Sequence, residues 1–556
     1  MITTQVKLEK TFENMILSAS GWRKVFAASG DEEDFTTEIT PEDSLICTAI
    51  GLVFGEYLEK LEGSEILLAR DARPTGEAIC GILYRTLTHM GCSVRYCGIC
   101  SAPEIMAQSA VHPYKGFVYV SASHNPVGHN GIKGGAHGGV FAAEIASVLI
   151  EELKKKISSV SELEKVYLSC GNIEVSEDCS LKKQCLEDYR AFVLKTACPE
   201  GKTEDFIGKI RKAAIGIVGD LNGSARCLSI DKTFLPEMGF KCCFINDTAS
   251  EIKHAIVPEG ENLRPCRNML EKMHEKDPSF VLGYTPDNDG DRGNLVYIDD
   301  DGQAKIIQAQ EVFALCVYAV LRNAAKNGTQ NLAVAVNGPT SMRIDELAAR
   351  FGAKTMHAEV GEANVVNLGQ SLRDQGYAVP ILGEGSNGGN ITWPARVRDP
   401  MNTIMSMASL IADGITIPQA LRELPAYTTT SVFAPAAIIR LKTRNFSSLK
   451  ASYEKNFPSF WEEKKAELEK YGIKDYLEIR TKGIEELTGE GNGTPGGLKM
   501  ALLDGDKNIC AYIWMRPSGT EPVLRILADV KGNEVELHDS LLDWQRSMIL
   551  KAAEGL

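Results

Sequence analysis

Ile66-Leu67-Leu68-Ala69, then Asp71-Ala72-Arg73-Pro74-Thr75-Gly76, then a helix-compatible stretch stopping at Met90-Gly91 before Ser93-Val94-Arg95-Tyr96: this run decides the fold. An apolar strand, a polar turn, a helix closed by a glycine and a second strand make a strand–helix–strand unit. Such units build parallel or mixed sheets covered by helices. The pattern returns as Ile215-Gly216-Ile217-Val218 into Asp220-Leu221-Asn222-Gly223, with its helix ending at Met238-Gly239. It returns again as Leu332-Ala333-Val334-Ala335-Val336 into Asn337-Gly338-Pro339-Thr340, ending at Phe351-Gly352. The spacing far exceeds the roughly 20–50 residues of a solenoid repeat, which predicts three related α/β domains. Ligands of open α/β sheets gather at the carboxyl ends of strands, so function is expected in loops. The last ~130 residues differ and read as a smaller α+β domain. There Phe446 to Tyr471 reads as a helix and Gly489 to Gly497 as a loop, while Ser158 to Ser180, earlier in the chain, reads as a surface excursion.

At 556 residues the chain is too long for one core, and 44% apolar with 24% charged residues is ordinary globular composition. A net charge of −14 opposes nucleic acid and anionic membranes as partners, so an anionic ligand needs a local basic site. The N-terminus lacks a signal-peptide core, and the densest apolar run, Val312 to Leu321, is too short to span a bilayer. A cytoplasmic protein is expected. Its 15 cysteines fit reduced thiols in apolar surroundings. Cys97-Gly98-Ile99-Cys100 has no second pair or nearby histidine at ligand spacing and reads as structural.

Four loops carry chemistry. Ser121-Ala122-Ser123-His124-Asn125-Pro126 follows the strand Phe117-Val118-Tyr119-Val120, with Asn130-Gly131-Ile132-Lys133 close behind. A serine needs a base, cation or metal to act as nucleophile, and His124 and Lys133 are local candidates; alone, the loop reads equally as a Ser/Asn/Pro turn. Asp287-Asn288-Asp289-Gly290-Asp291-Arg292 puts three carboxylates on one side of a loop, which points to a divalent cation. An EF-hand is excluded because its Gly and Glu positions hold Arg292 and Ile298. The loop also resembles the DxD of haloacid-dehalogenase-like phosphatases, but Asp291 stands where Thr or Val is normal. Gly383-Glu384-Gly385-Ser386-Asn387-Gly388-Gly389 satisfies GxGxxG yet opens no helix, so it suits sugar hydroxyls better than a dinucleotide. Arg516-Pro517-Ser518-Gly519-Thr520-Glu521-Pro522, with Arg525 beyond, is built as an anion cradle.

These loops, in this order, resemble those of the α-D-phosphohexomutases, the phosphoglucomutases, phosphomannomutases and phosphoglucosamine mutases, over about Ser20 to Arg525. The resemblance implies an α/β fold of four domains around a central cleft, the first three related α/β/α domains with mixed sheets and the fourth a smaller α+β domain, here 1–205, 206–305, 306–425 and 426–556. It implies that Ser123 is a phosphoserine and that Ser123, Asp287, Asp289 and Asp291 hold Mg²⁺. Arg23, within Ser20-Gly21-Trp22-Arg23, joins His124 and Lys133 in catalysis; Arg292, Glu384, Ser386 and Asn387 read the substrate; Arg516, Ser518, Gly519, Thr520 and Arg525 hold its phosphate. The implied reaction interconverts hexose 1-phosphate and hexose 6-phosphate through a bisphosphorylated sugar, with hexose 1,6-bisphosphate as activator. Glucose or mannose phosphate is the first expectation and glucosamine phosphate the alternative; the choice stays open because Ser386-Asn387-Gly388-Gly389 departs from the Ser-Gly-His of many relatives. A non-catalytic sugar-phosphate sensor and a phosphatase using Asp287 are the rival readings. Oligomeric state stays open.

Overall fold

The computed structural model describes residues 2–18, 21–385, 389–441, 445–489, 496–517 and 523–554. It divides into two compact units, 1–307 with 391–417 and 308–390 with 418–556.

The first unit carries two sheets. One runs in the order Ile16–Ser18, Gly21–Val25, His129–Ala136, Gly116–Val120, Ile66–Arg70, Val94–Ile99, with Gly139–Val140 on the His129–Ala136 strand. The other runs Ala304–Ile306, Gly293–Ile298, Phe280–Pro286, Gly216–Asp220, Lys241–Ile245. In the second unit one sheet runs Lys354–Ala358, Leu332–Asn337, Ala378–Glu384, Gly389–Thr392. The last sheet is antiparallel: Tyr427–Thr429, Val523–Lys531, Ile509–Pro517, Leu498–Leu503, Asp475–Lys482, Glu485–Thr488.

The expected repeat is present in the first three sheets. In each, the first strand (Ile66–Arg70, Gly216–Asp220 or Leu332–Asn337) lies parallel to its second strand on one side and its third on the other. The intervening helices are Gly76–His89, Asp231–Met238 and Arg343–Arg350. Gly91, Gly239 and Gly352 follow them at φ +87°, +105° and +67°, the left-handed conformation that only glycine adopts without steric penalty. In the first two sheets the fourth strand returns antiparallel to the third, so each sheet is mixed. The serine and aspartate loops are those third-to-fourth connections, and Glu384 closes the third strand of the third sheet. Topologically equivalent loops thus bear three of the four motifs.

Two other expectations meet the structure differently. Phe446–Leu468 is helical, and Leu449, Tyr453, Phe457, Phe460 and Trp461 recur at helical spacing to bury one face in the core of the last sheet. Ser158 to Ser180 is not a mere excursion. Val160–Ser169 forms a helix that buries Leu163 and packs on the helices Pro41–Leu58 and Gly76–His89, and Asp178 caps the helix Cys179–Ala197 by accepting from Leu181 N at 2.9 Å. Its polar composition conceals a single buried stripe. Among the described residues no single helix is long and apolar enough to cross a membrane, and Val312 to Leu321 lies in the buried helix Ala309–Lys326.

Candidate active site

The strand Gly116–Val120 delivers Ser121 and Ser123 to the end of the first sheet, where Ser123 is only 2% exposed. Its backbone sits at φ +52°, a left-handed conformation that side chains disfavour by about 1–2 kcal/mol. Arg73, fully buried on the loop after Ile66–Arg70, holds it there. The guanidinium donates to the carbonyls of Ser123 (2.7 Å), Asn125 (2.5 Å), His129 (3.0 Å) and Pro126, while its Nε pairs with Asp71 at 3.2 Å. Ser121 Oγ accepts from Ser123 N at 2.8 Å. One cation therefore satisfies the carbonyls of a buried loop that has no ladder of its own.

The strand Phe280–Pro286 brings in the aspartates. All three are buried, and one carboxylate oxygen from each lies within 4.8 Å of the others. Ser123 Oγ donates to Asp287 Oδ2 at 2.7 Å, across 164 residues of chain. Lys133 Nζ pairs with Asp289 Oδ2 at 2.7 Å and Arg398 Nη2 with Asp291 Oδ2 at 2.9 Å. Arg292 Nε stands 3.8 Å from Asp287 Oδ2 and 3.9 Å from Asp291 Oδ1. The loop backbone is fastened too: Ala102 N donates to Asp289 O at 2.8 Å and Ala225 N to Asn288 O at 2.9 Å.

Burial, then the charges of Asp289 and Asp291, push the Asp287 carboxyl well above its ordinary range. Burial also opposes ionisation of Asp289, but Lys133 overrides it and holds that carboxyl low. Asp289 Oδ1 and Asp291 Oδ1 accept no hydrogen bond although both are buried. A hard divalent cation, which takes oxygen ligands, fits this donor set: it would use the open oxygens and relieve the repulsion.

Arg23 lies opposite Gly131 in the antiparallel register. A Cβ at position 131 would stand 2.7 Å from Arg23 Cγ and 2.8 Å from Ser121 O, so glycine there makes room for the arginine side chain. Burial lowers Arg23 to about 10, against the pull of Asp289. Burial, then Arg292, Arg23, Arg398 and Arg73, drive His124 well below its ordinary value, so its imidazole is neutral. The structure thus brings together Ser123, His124, Lys133, Arg23, Asp287, Asp289, Asp291 and Arg292. Sequence reading missed Arg73 and Arg398. Arg73 stands in the loop Asp71 to Gly76, where the local sequence gives it no role; Arg398 precedes Asp399-Pro400, and the cap-and-proline start of the helix Pro400–Ala412 is the one local signal beside it.

In the second unit Glu384 Oε1 accepts from Asn337 Nδ2 and Gly361 N, both at 2.8 Å. Arg516 Nε pairs with Glu359 Oε1 at 2.7 Å, and Arg525 Nη1 donates to Val432 O at 2.7 Å. Arg516 and Arg525 are direct cross-strand partners, a like-charge pair that an anion would stabilise. Ser386, Asn387, Ser518, Gly519 and Thr520 lie outside the described residues, as does Ser20.

A cation-competent triad hydrogen-bonded to a serine, at the end of a mixed α/β sheet, is suited to phosphoryl transfer. Residues 19–161 match the model of phosphoglucomutase/phosphomannomutase α/β/α domain I, and residues 308–427 match that of domain III. Both matches are to the phosphoglucomutase/phosphomannomutase family, and the relatives that the chain resembles are named as phosphohexomutases, isomerases acting as intramolecular phosphotransferases. The chain is 27% identical to a phosphoglucomutase/phosphomannomutase of Thermococcus kodakarensis, over 92% of this chain and 95% of that protein. It is 24% identical to a phosphoglucosamine/phosphogalactosamine mutase of Sulfurisphaera tokodaii, over 92% and 96%. A phosphoglucomutase/phosphomannomutase family protein of Burkholderia thailandensis shares the fold with a TM-score of 0.63 at 17% identity, over 97% of this chain and 98% of that one.

Proposed function

We propose that this mutase interconverts hexose 1-phosphate and hexose 6-phosphate by carrying the transferred phosphoryl group on Ser123. One observation supports this above the rest: the Ser123 hydroxyl is hydrogen-bonded to the edge of the aspartate triad, with Lys133 committed to the same cluster. In each transfer the Ser123 Oγ–P bond breaks as a sugar hydroxyl forms a new P–O bond. The hydroxyl proton passes to a base, for which His124, Lys133 and Arg23 are the candidates; burial and the neighbouring arginines oppose protonation of His124. The resulting hexose bisphosphate turns over and returns its other phosphate to Ser123, which explains why a hexose 1,6-bisphosphate would act as activator. Asp287, Asp289 and Asp291 would hold Mg²⁺, which when bound neutralises charge on the phosphoryl group in transfer. Arg23 and Arg292 contribute positive charge on the same side.

In this reading Glu384, Ser386 and Asn387 read the sugar, and Arg516, Ser518, Gly519, Thr520 and Arg525 hold the phosphate that does not react. The working divisions are 1–205, 206–305, 306–425 and 426–556, and the enzyme acts on a small phosphosugar in the cytoplasm. Glucose or mannose phosphate is the first substrate and glucosamine phosphate the second, since named relatives include both kinds. Two measurements test this. Phosphate mass should appear on the peptide containing Ser123, and a panel of hexose 1-phosphates with trace bisphosphate should show one substrate ahead in kcat/KM. Turnover by a chain whose Ser123 never carries phosphate would refute the mechanism.

A further inference from the structure

Cys97-Gly98-Ile99-Cys100 lacks a second cysteine pair in sequence, but the fold supplies a third sulfur. Cys97 ends up against Cys185, 88 residues downstream on the helix Cys179–Ala197, with the two Sγ atoms 3.8 Å apart. Side-chain hydrogen bonds join Cys97, Cys100 and Cys185 pairwise. Glu104, on the first turn of the helix Ala102–Val111, completes the group: one ligand atom each from Cys97, Cys100 and Glu104 lie within 4.8 Å of one another. All four residues are buried, Glu104 completely.

Three features distinguish this cluster from packed apolar thiols. A tetrahedral centre with metal–sulfur bonds of about 2.3 Å places its sulfurs about 3.8 Å apart, which is the separation of Cys97 and Cys185. A disulfide would need about 2 Å and would leave one thiol over. Glu104 is the second feature: a completely buried carboxylate, paired through Oε1 with Lys182 Nζ at 2.5 Å, it brings an oxygen ligand and a negative charge up to the thiols. Charge is the third. Lys182 offsets one negative charge beside the sulfurs.

We propose that Cys97, Cys100, Cys185 and Glu104 form a structural zinc site. Four protein ligands leave no open position for substrate, so its role is to brace. The brace reaches the active site by a short route. Cys100 N donates to Arg70 O at 2.9 Å, Tyr119 Oη donates to Cys100 O at 2.8 Å, and two residues further on Ala102 N holds the Asp289 carbonyl. The metal would tie the helix Cys179–Ala197 to the turn that fixes the aspartate loop.

The test uses untagged full-length protein produced with zinc in the medium, kept reduced and desalted into metal-free buffer. Elemental analysis should find about one zinc per chain in the wild type and in Cys266→Ser, a buried cysteine on the helix Arg264–Lys276, and much less in Cys185→Ser. Asp287→Asn should keep its zinc, which separates this site from the magnesium site. Should Cys185→Ser fail to fold, wild type reconstituted with cobalt should show sulfur-to-cobalt charge transfer and the intense visible bands of a tetrahedral thiolate site. Wild type without zinc and without those cobalt bands overturns the proposal. So does zinc retained in full by folded Cys185→Ser, or a metal-free protein with Cys97 and Cys185 joined as a disulfide.

Discussion

Arg73→Lys is the perturbation that most directly tests how the serine loop is held. Arg73 serves five acceptors, the Asp71 carboxylate and four loop carbonyls including that of Ser123. A lysine ammonium has three donors at a single point, so at least two buried acceptors lose their partner. At about 1–3 kcal/mol for each buried group left unsatisfied, the ordered loop weakens by roughly 2–6 kcal/mol. At about 1.4 kcal/mol per tenfold, even the lower end predicts a fall in kcat of about 30-fold. KM should change little, because Arg73 binds the loop and not the sugar. The assay is coupled formation of glucose 6-phosphate from glucose 1-phosphate, run beside intact-mass measurement of phosphate on the chain and a thermal melt. A variant within about threefold of wild-type kcat with an unchanged melting midpoint would show that the guanidinium does not set the loop. Asp71→Asn leaves the four carbonyl bonds in place and should be the milder change.

Ser123→Ala should lose essentially all mutase turnover; if phosphatase activity survives with phosphate trapped on Asp287, the aspartyl-phosphatase reading gains. Thorough chelation should abolish activity and added Mg²⁺ restore it, because a phosphoserine beside three buried carboxylates is untenable without a cation; activity that persists after chelation removes the metal from the mechanism. Asp399, which accepts from Tyr189 Oη at 2.8 Å and lies 3.6 Å from Arg226, is pushed by burial up to about 6 from its ordinary 3.8. A raised carboxyl pKa favours the fold below about pH 4, and that contribution is lost as pH rises through about 6, at most about 3 kcal/mol. Asp399→Asn should therefore gain in melting midpoint relative to wild type between pH 4 and 7, and a difference that does not vary with pH would contradict this assignment.

Much of the scaffold could be read before any coordinates because its signals are local. Gly91, Gly239 and Gly352 each stand just past a helix, where a left-handed residue is required, and the strands before them are short and apolar. The chemistry of the aspartate loop was equally local, since three carboxylates in five positions demand a counter-charge wherever they lie. What sequence reading left out is long-range. Nothing near Arg73 announces that its partners begin 50 residues later at Ser123, and nothing near Arg398 points back to Asp291. Cys185 is unremarkable on its helix until the fold sets it against Cys97. The helix Val160–Ser169 hid for a different reason: of its ten residues only Leu163 is buried, so the apolar stripe falls below what periodicity can detect.

The left-handed backbone at Ser123 carries an evolutionary consequence. A glycine there would shed about 1–2 kcal/mol of strain. That relief offsets the greater freedom of a glycine in the unfolded chain, about 0.4–1 kcal/mol. Selection for a durable fold alone would weigh that relief only against the hydrogen bond from the hydroxyl to Asp287, and would have no further reason to keep a serine here. A serine kept in that conformation marks a site where catalysis outbids folding, and a decayed copy of this enzyme would be expected to lose its nucleophile there before its core begins to erode.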